Sequence, residues 1–403
     1  MLSYRSKPHS GGQGVYVRHL SRELAARGHQ VEVFSGQPYP ELDDGPVLRQ
    51  VPSLDLYRDD DPFRIPRRGE VRDWADVLEV AMMGAGSFPE PLTFSIRALR
   101  ELRARSRAFD IVHDNQGLGY GMLGVRRLGL PLLTSVHHPI TVDRRLEMAG
   151  LNPLQRLGKR RWYGFVRMQA RVARRAGPLV TVSTSSKHDI CRDFRVPPRN
   201  VHVVPLGVDT RLFCPRPRQP RAPGRIVAVT SSDSPLKGLP ALLRAVAKLA
   251  TEGDAHLVVI GAPSAATRRQ VAQLALGDRV TFASGLPDTE YAAMLASAEV
   301  AVVPSLYEGF SLPAVEHMAS GTPLVASRAG ALPEVTGDAA VLVAPGDAEE
   351  LAAALRRLLG DAGARARLAA AGLARVGERF AWTAVAAATE ALYRSVISGE
   401  PDC

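Results

Sequence analysis

The stretch "VVPSLYEGFSLPAVEHMASGTPLVAS", residues 302–327, decides the fold. It opens on the end of one apolar, β-branched run (300–305) and closes on another (323–327). Both runs are short and show no polar alternation, as strands buried on both faces of a parallel sheet do. A loop and a short helical segment lie between them. Ser311 stands where an N-cap is expected, and Pro313 is tolerated in the first turn. Glu308 then precedes the helix, and Glu316 falls about one and a half turns into it. Strand, loop, helix and strand in this order form one unit of a doubly wound α/β sheet.

The same alternation runs through the chain. Strands are expected at 30–36, 109–114, 131–136, 178–183 and 200–205, and again at 225–231, 255–261, 279–284, 300–305, 323–327 and 340–345. Helical stripes lie between them. Val17, Leu20 and Leu24 form one, closed by Gly28 as a C-cap; Leu242, Val246 and Leu249 form another. A chain of 403 residues exceeds what one core supports, so two such domains are expected. "FCPRPRQPRAPGR" (213–225), with four prolines and no apolar period, reads as a linker. The expected boundaries are 1–205, a hinge over 206–224, a second domain over 225–380 and a final helix over 381–403. Two doubly wound domains facing across a cleft would bind ligands at the carboxyl ends of their strands. The first strand reads as shortened, because "MLSYRSKPHSGGQG" offers only Leu2 to Tyr4 before a polar loop.

The net charge of +10 suits an anionic partner: a nucleotide, a phosphate or an anionic lipid. No recognition module accompanies the charge, which argues against nucleic acid. No apolar run approaches the roughly 18 residues of a membrane span. The three cysteines match no zinc or redox spacing and read as reduced thiols of a cytoplasmic protein.

Four places carry candidate chemistry. "SGGQGVYVRHL" puts Gly11, Gly12 and Gly14 ahead of a helix, where backbone amides can approach an anion. It is not the dinucleotide fingerprint, since Val17 holds the third glycine position. "TSVHHPI" places His137 and His138 at the end of a buried strand, as sugar-binding groups or as packed core histidines. "SSDSPLKGLPALL" puts Lys237 just ahead of a helix, where a point charge can neutralise a diphosphate. In the opening stretch, Gly309 and the amides of Phe310, Ser311 and Leu312 can hold a phosphate, with Glu308 and Glu316 as acceptors for paired hydroxyls.

"EGFSLPAVE" resembles the E-x7-E motif of retaining glycosyltransferases of the GT-B fold, in glycosyltransferase family 4. "GGQGVYVRHLSRELAARGHQVEVFS", "VVPLGVDTRLF", "GTPLVASRAGALPEV" and "RFAWTAVAAATEALY" are similar to the family's segments in the same order. The resemblance implies two Rossmann-like domains, the first holding the acceptor and the second the nucleotide sugar, with the last helix crossing back to the first. It implies transfer of a hexose from a UDP or GDP sugar to a hydroxyl of a sugar, glycolipid or small-molecule acceptor, with retention and without a metal or other cofactor. Glu316 would bind the donor ribose, and Glu308 the transferred sugar, beside the amides of Phe310, Ser311 and Leu312. Lys237 would bind the diphosphate, His137 would contact the donor sugar, and Gly12 would bring amides to the phosphate or the acceptor. Where the family commonly has an arginine five residues before the lysine, this chain has Ser232. A nucleotide-sugar epimerase or hydrolase, or a sugar-nucleotide-binding protein without turnover, fits the same residues.

Two further segments compete for attention. "RDDDPF" contains Asp59-x-Asp61, a metal-binding pattern elsewhere, but here it reads as a solvated loop. Residues 154–175 carry eight basic residues, no acid, and Trp162, Tyr163 and Phe165. That segment is either a solvated arginine face above core aromatics or a peripheral contact for an anionic membrane.

Overall fold

The structure is a computed structural model that describes residues 1–7, 12–58, 60–137, 139–148, 151–230, 235–251 and 253–399. Gly11, Asp59, His138, Ser232 and Cys403 lie outside these described residues. The chain divides into two compact units, Met1–Val204 with Val385–Cys403, and Pro205–Ala384.

The first unit is built on a seven-stranded sheet. Its spatial order is Val47–Gln50, Glu32–Ser35, Leu2–Ser3, Val112–Asn115, Leu132–Ser135, Leu179–Thr181 and Val201–Val203, with every pair parallel. The two-residue strand Leu2–Ser3 is central, with Leu2 opposite both Phe34 and Asp114. The helix Gly12–Ala26 follows it and buries Val17, Leu20 and Leu24. Gly28 ends that turn with φ +94° and its amide on Ala25 O at 2.9 Å. The edge strand Val47–Gln50 is a departure from the sequence expectation. Most of its residues face water, so it carries none of the apolar signal by which buried strands are read.

The second unit has a six-stranded parallel sheet, ordered Val280–Ala283, His256–Ile260, Arg225–Val229, Val300–Val303, Leu324–Ser327 and Ala340–Val343. In chain order that is 3-2-1-4-5-6, the doubly wound arrangement. Ile226, Ala228, Val300, Val302 and Val325 meet Leu242, Val246, Leu351 and Leu355 from the helices in one buried core.

The proline-rich stretch 213–225, expected as a linker, is packed within the second unit. Arg221 donates to Ala298 O and to Gly321 O, both at 2.6 Å, and Ala222 N donates to Ser297 O at 3.0 Å, so backbone acceptors hold what composition left open. Asp61 is not in a plain loop, because Asp61–Pro62 pairs antiparallel with Tyr57–Arg58. Asp60 and Asp61 lie 3.3 and 3.5 Å from Arg58. The basic segment is two helices, Pro153–Trp162 and Phe165–Ala173, and its Tyr163 and Phe165 are core residues. No helix among the described residues is long and apolar enough to cross a membrane.

Candidate functional site

Arg225–Val229 and Val300–Val303 are neighbours in the second unit's sheet, with Ile226 opposite Val300 and Ala228 opposite Val302. The chain leaves the first toward His256–Ile260 on one side and the second toward Leu324–Ser327 on the other. This is the topological switch point, where doubly wound sheets bind ligands beyond the carboxyl ends of their strands. Lys237 and Glu308 stand on the two loops that leave these strands.

Those loops are fastened to each other. Leu306 N donates to Leu236 O at 2.7 Å. Gly238 has φ +66°, and a Cβ there would lie 1.9 Å from Pro304 O, so only glycine permits the approach. Lys237 Nζ donates to Glu308 Oε1 at 2.8 Å, and Ser305 Oγ donates to the same oxygen at 2.7 Å. Glu308 is buried, and its backbone oxygen accepts from Ala331 N at 2.9 Å. The close approach of Gly330 secures the same loop from below, since a Cβ there would lie 2.2 Å from Glu308 O.

The helix Leu312–Ala319 starts next, with Pro313 in its first turn as expected. Ser311 occupies the N-cap position but makes no side-chain cap bond, which corrects the expectation that it caps the helix. Its backbone is left-handed, with φ +83° and ψ +81°. For a non-glycine residue that costs about 1–3 kcal/mol and concentrates at functional sites. The Ser311 hydroxyl is buried with no partner among the described residues. The first helical amides have no acceptor within their helix. Phe310 anchors the turn by packing edge-on against Phe380, centroids 5.7 Å apart, and Gly309 leads into it. The loop whose Glu308 holds Lys237 thus leads to an unpartnered hydroxyl and a helix N-terminus, a set suited to an anion.

Glu316, four residues beyond Leu312, accepts a hydrogen bond from Tyr291 at 2.5 Å through Oε2. Burial pushes its carboxyl up to about 7, against the pull of the Tyr291 hydroxyl, and Asp288 adds to the rise. Burial and the facing Glu316 raise the Tyr291 phenol well above its ordinary value, so it stays a donor.

The first unit carries its own polar cluster at the carboxyl ends of Val112–Asn115 and Leu132–Ser135. His137 Nε2 lies 2.8 Å from Asn115 Oδ1, and His137 N donates to Gln116 Oε1 at 3.1 Å. An amide oxygen only accepts, so Nε2 carries the proton. The Tyr16 ring meets the His137 ring edge-on at 4.8 Å. Behind them, Ser135 Oγ lies 3.1 Å from Tyr16 Oη and 2.6 Å from His113 Nε2. His113 Nδ1 in turn lies 2.6 Å from Tyr393 Oη on the last helix, Trp382–Ser398. Burial lowers the His113 imidazole to about 3, so it is neutral. Gly12 is the first residue of the helix Gly12–Ala26.

Lys237, Glu308, Phe310, Ser311, Leu312 and Glu316 are therefore brought together in one unit, and His137 belongs to the other. Asn115, Ser305 and Tyr291 were not found by sequence reading. A polar run at a strand's end, "HDNQ" (113–116), could have pointed to Asn115. Nothing local marks Tyr291, which meets Glu316 only through the tertiary fold.

The sequence model of the family described as Glycosyltransferase Family 4 matches residues 10–212, and the one described as Glycosyl transferases group 1 matches residues 223–361. The chain is 55% identical over 409 residues to the MMP alpha-(1->4)-mannosyltransferase of Mycolicibacterium hassiacum, covering 100% of this chain and 99% of that protein. It is 30% identical over 414 residues to the D-inositol 3-phosphate glycosyltransferase of Mycobacterium marinum, over 96% of this chain and 82% of that one. Among solved structures, the sucrose-phosphate synthase of Thermosynechococcus elongatus has a TM-score of 0.71 at 24% identity over 99% of each chain. Anabaena HepE in complex with UDP and glucose has a TM-score of 0.70 at 16% identity, over 98% of this chain and 99% of that one. With a resemblance that runs end to end and two parallel sheets of the GT-B type, the chain belongs to glycosyltransferase family 4 and is a glycosyltransferase.

Proposed function

We propose that the protein transfers a mannosyl residue from a nucleoside diphosphate sugar, with UDP or GDP as carrier, to a sugar hydroxyl, forming an α-(1→4) bond with retention at the anomeric carbon. The observation that carries this reading is the Lys237–Glu308 pair on the loop that leads through Ser311 into the helix bearing Glu316, at the switch point. The choice of mannose and of linkage follows the printed activity of the 55% identical relative. In this reading Glu316 accepts from the ribose hydroxyls. Ser311 Oγ and the amides of Phe310 to Leu312 meet the phosphates. Lys237 offsets the charge that grows on the leaving diphosphate. Glu308, already oriented by Ser305, accepts from hydroxyls of the transferred sugar. In the first unit, which takes the acceptor, Gly12 supplies backbone amides, and His137 presents its ring to a sugar hydroxyl with its tautomer set by Asn115. The positive field comes from Lys237 and the helix N-terminus, so no metal enters the mechanism. The test is incubation with GDP-mannose and with UDP sugars in the presence of an α-mannoside acceptor, with the product linkage read by NMR.

A peripheral contact with an anionic surface belongs to the same proposal. The helix Pro153–Trp162 buries no residue, and its Leu154 and Leu157 are 84% and 52% exposed between Arg156, Arg160 and Arg161. Exposed leucines among arginines favour an interfacial helix over a plain solvated face.

A further inference from the structure

We infer that Tyr291 is a positioning residue of the donor site, holding one oxygen of Glu316 so that the other alone, in a single orientation, meets the ribose hydroxyls. The inference rests on the donor reading given above and deepens it.

Glu316 projects from the helix Leu312–Ala319 on a flexible stem, and nothing in a glutamate rotamer fixes its carboxylate plane. Tyr291 supplies that restraint from a different helix, Asp288–Ala296. Its ring stands edge-on to Phe213, centroids 5.7 Å apart and planes at 86°, so the hydroxyl comes from an anchored support. The resulting bond of 2.5 Å runs to Oε2. An ionised carboxylate only accepts, and so the phenol donates. Glu316 remains partly exposed, and the Tyr291 bond engages Oε2 and not Oε1.

The charge balance gives the same residue a second task. Of the titratable groups on the packed elements, Tyr291 and Asp288 act on Glu316. Tyr291 favours the ionised form and Asp288 opposes it. His317, next on the helix, is buried and neutral. Burial alone would drive the carboxyl higher than about 7, and the Tyr291 bond counters this. Without the phenol the carboxyl would be raised further, and a protonated acid has lost the charge that makes it a strong acceptor for a diol.

Tyr291→Phe deletes one oxygen and keeps the ring on Phe213, so the fold should survive. Titration calorimetry would use GDP and UDP beside their 2′,3′-dideoxy counterparts, from pH 6 to 9. The inference expects Tyr291→Phe to weaken the ribonucleotide by about tenfold at pH 7, the size of one charge-assisted hydrogen bond. It expects the midpoint of the pH dependence to rise, and the dideoxy nucleotide to bind both proteins alike. Equal losses for the ribose and dideoxy forms would make Tyr291 merely structural and overturn the inference, as would an unmoved midpoint. Carboxyl carbon NMR of the ligand-free proteins, with the Glu316 signal assigned through Glu316→Gln, separates the two levels. If neither nucleotide binds the wild type, the donor reading fails. The Glu316 titration still tests the pairing, because an upward move in Tyr291→Phe supports it and an identical titration refutes it.

Discussion

Lys237 Nζ lies 2.8 Å from Glu308 Oε1 across 71 residues of sequence, on two loops that leave adjacent strands at the switch point of the sheet. The pair holds opposite charges side by side, and the proposed function puts the parting sugar and diphosphate there. In the proposed reaction a lysine there would offset the leaving group, and a carboxylate tethered to the same lysine would be held in place for sugar hydroxyls.

Lys237→Ala should therefore lower turnover by about 100-fold or more, the usual cost of removing one preorganised partner of transition-state charge. Glu308 would retain Ser305 as a donor. Steady-state kinetics check this, and near-native turnover in the folded variant would move the diphosphate partner elsewhere.

Gly238→Ala should be destabilising out of proportion to its size. It places a Cβ 1.9 Å from Pro304 O and forces a side chain into φ +66°. The left-handed backbone alone costs about 1–2 kcal/mol, and the clash adds to it. Thermal melting should show a fall on the order of 5 °C, with activity lost because Lys237 is the neighbouring residue. A melting curve that matches wild type would show that the two loops are not fastened as described.

The first unit offers a test of its own core. His113 is held between Tyr393 and Ser135 and stays neutral down to about 3, against 6.5 when free. Below pH 6.5 the unfolded chain takes up a proton that the folded chain refuses, so this group's contribution to stability falls as the pH drops toward 3. The buried carboxyls Asp114 and Glu90, raised to about 6 and about 7, act in the opposite sense. The difference between wild type and His113→Gln isolates the histidine. The variant should lose less stability than wild type between pH 6.5 and 4.5 in urea melts. Parallel losses would mean that His113 protonates freely in the folded state. Tyr393→Phe, which leaves Nδ1 without this partner, should cost about 1–3 kcal/mol at neutral pH.

Much of this architecture was legible because buried parallel strands announce themselves. The expected runs at 225–231 and 300–305 are the strands Arg225–Val229 and Val300–Val303, and the residue sets around them form the core. The edge strand Val47–Gln50 was not legible, since its exposed residues follow no apolar rule. At the site, Glu308, Glu316 and Lys237 could be named from order and spacing. The capping role given to Ser311 failed because the residue turns left-handed, and its hydroxyl leaves the helix uncapped. Tyr291 escaped because its role exists only where distant segments meet, and Asn115 is marked only by the polar run 113–116 that ends its strand. In the basic segment the aromatics follow the reading of core residues. Tyr163 and Phe165 face the core, and the apolar surface offered to solvent is that of Leu154 and Leu157.

That surface predicts binding to anionic vesicles. Each nearby arginine contributes about 1 kcal/mol, falling off within a Debye length. Sedimentation with anionic vesicles should weaken steeply with salt and fail after Leu154→Ser with Leu157→Ser, or after Arg160, Arg161, Arg167 and Arg171 are changed to Ser. Equal partitioning to neutral and anionic vesicles, or none to either, would leave the helix as a solvated face.

In the proposed function Lys237, Glu308 and Glu316 serve the transfer of a hexose from a nucleoside diphosphate with retention. Proton NMR of the reaction with GDP-mannose and an α-mannoside acceptor, run in EDTA, tests it most directly. The expected spectrum shows acceptor-dependent release of the nucleotide and a new α-anomeric signal of a 1→4 linkage, undiminished by the chelator and absent with Glu308→Gln. A β-linked product, release of free mannose without the acceptor, or activity restored only by added metal would contradict it.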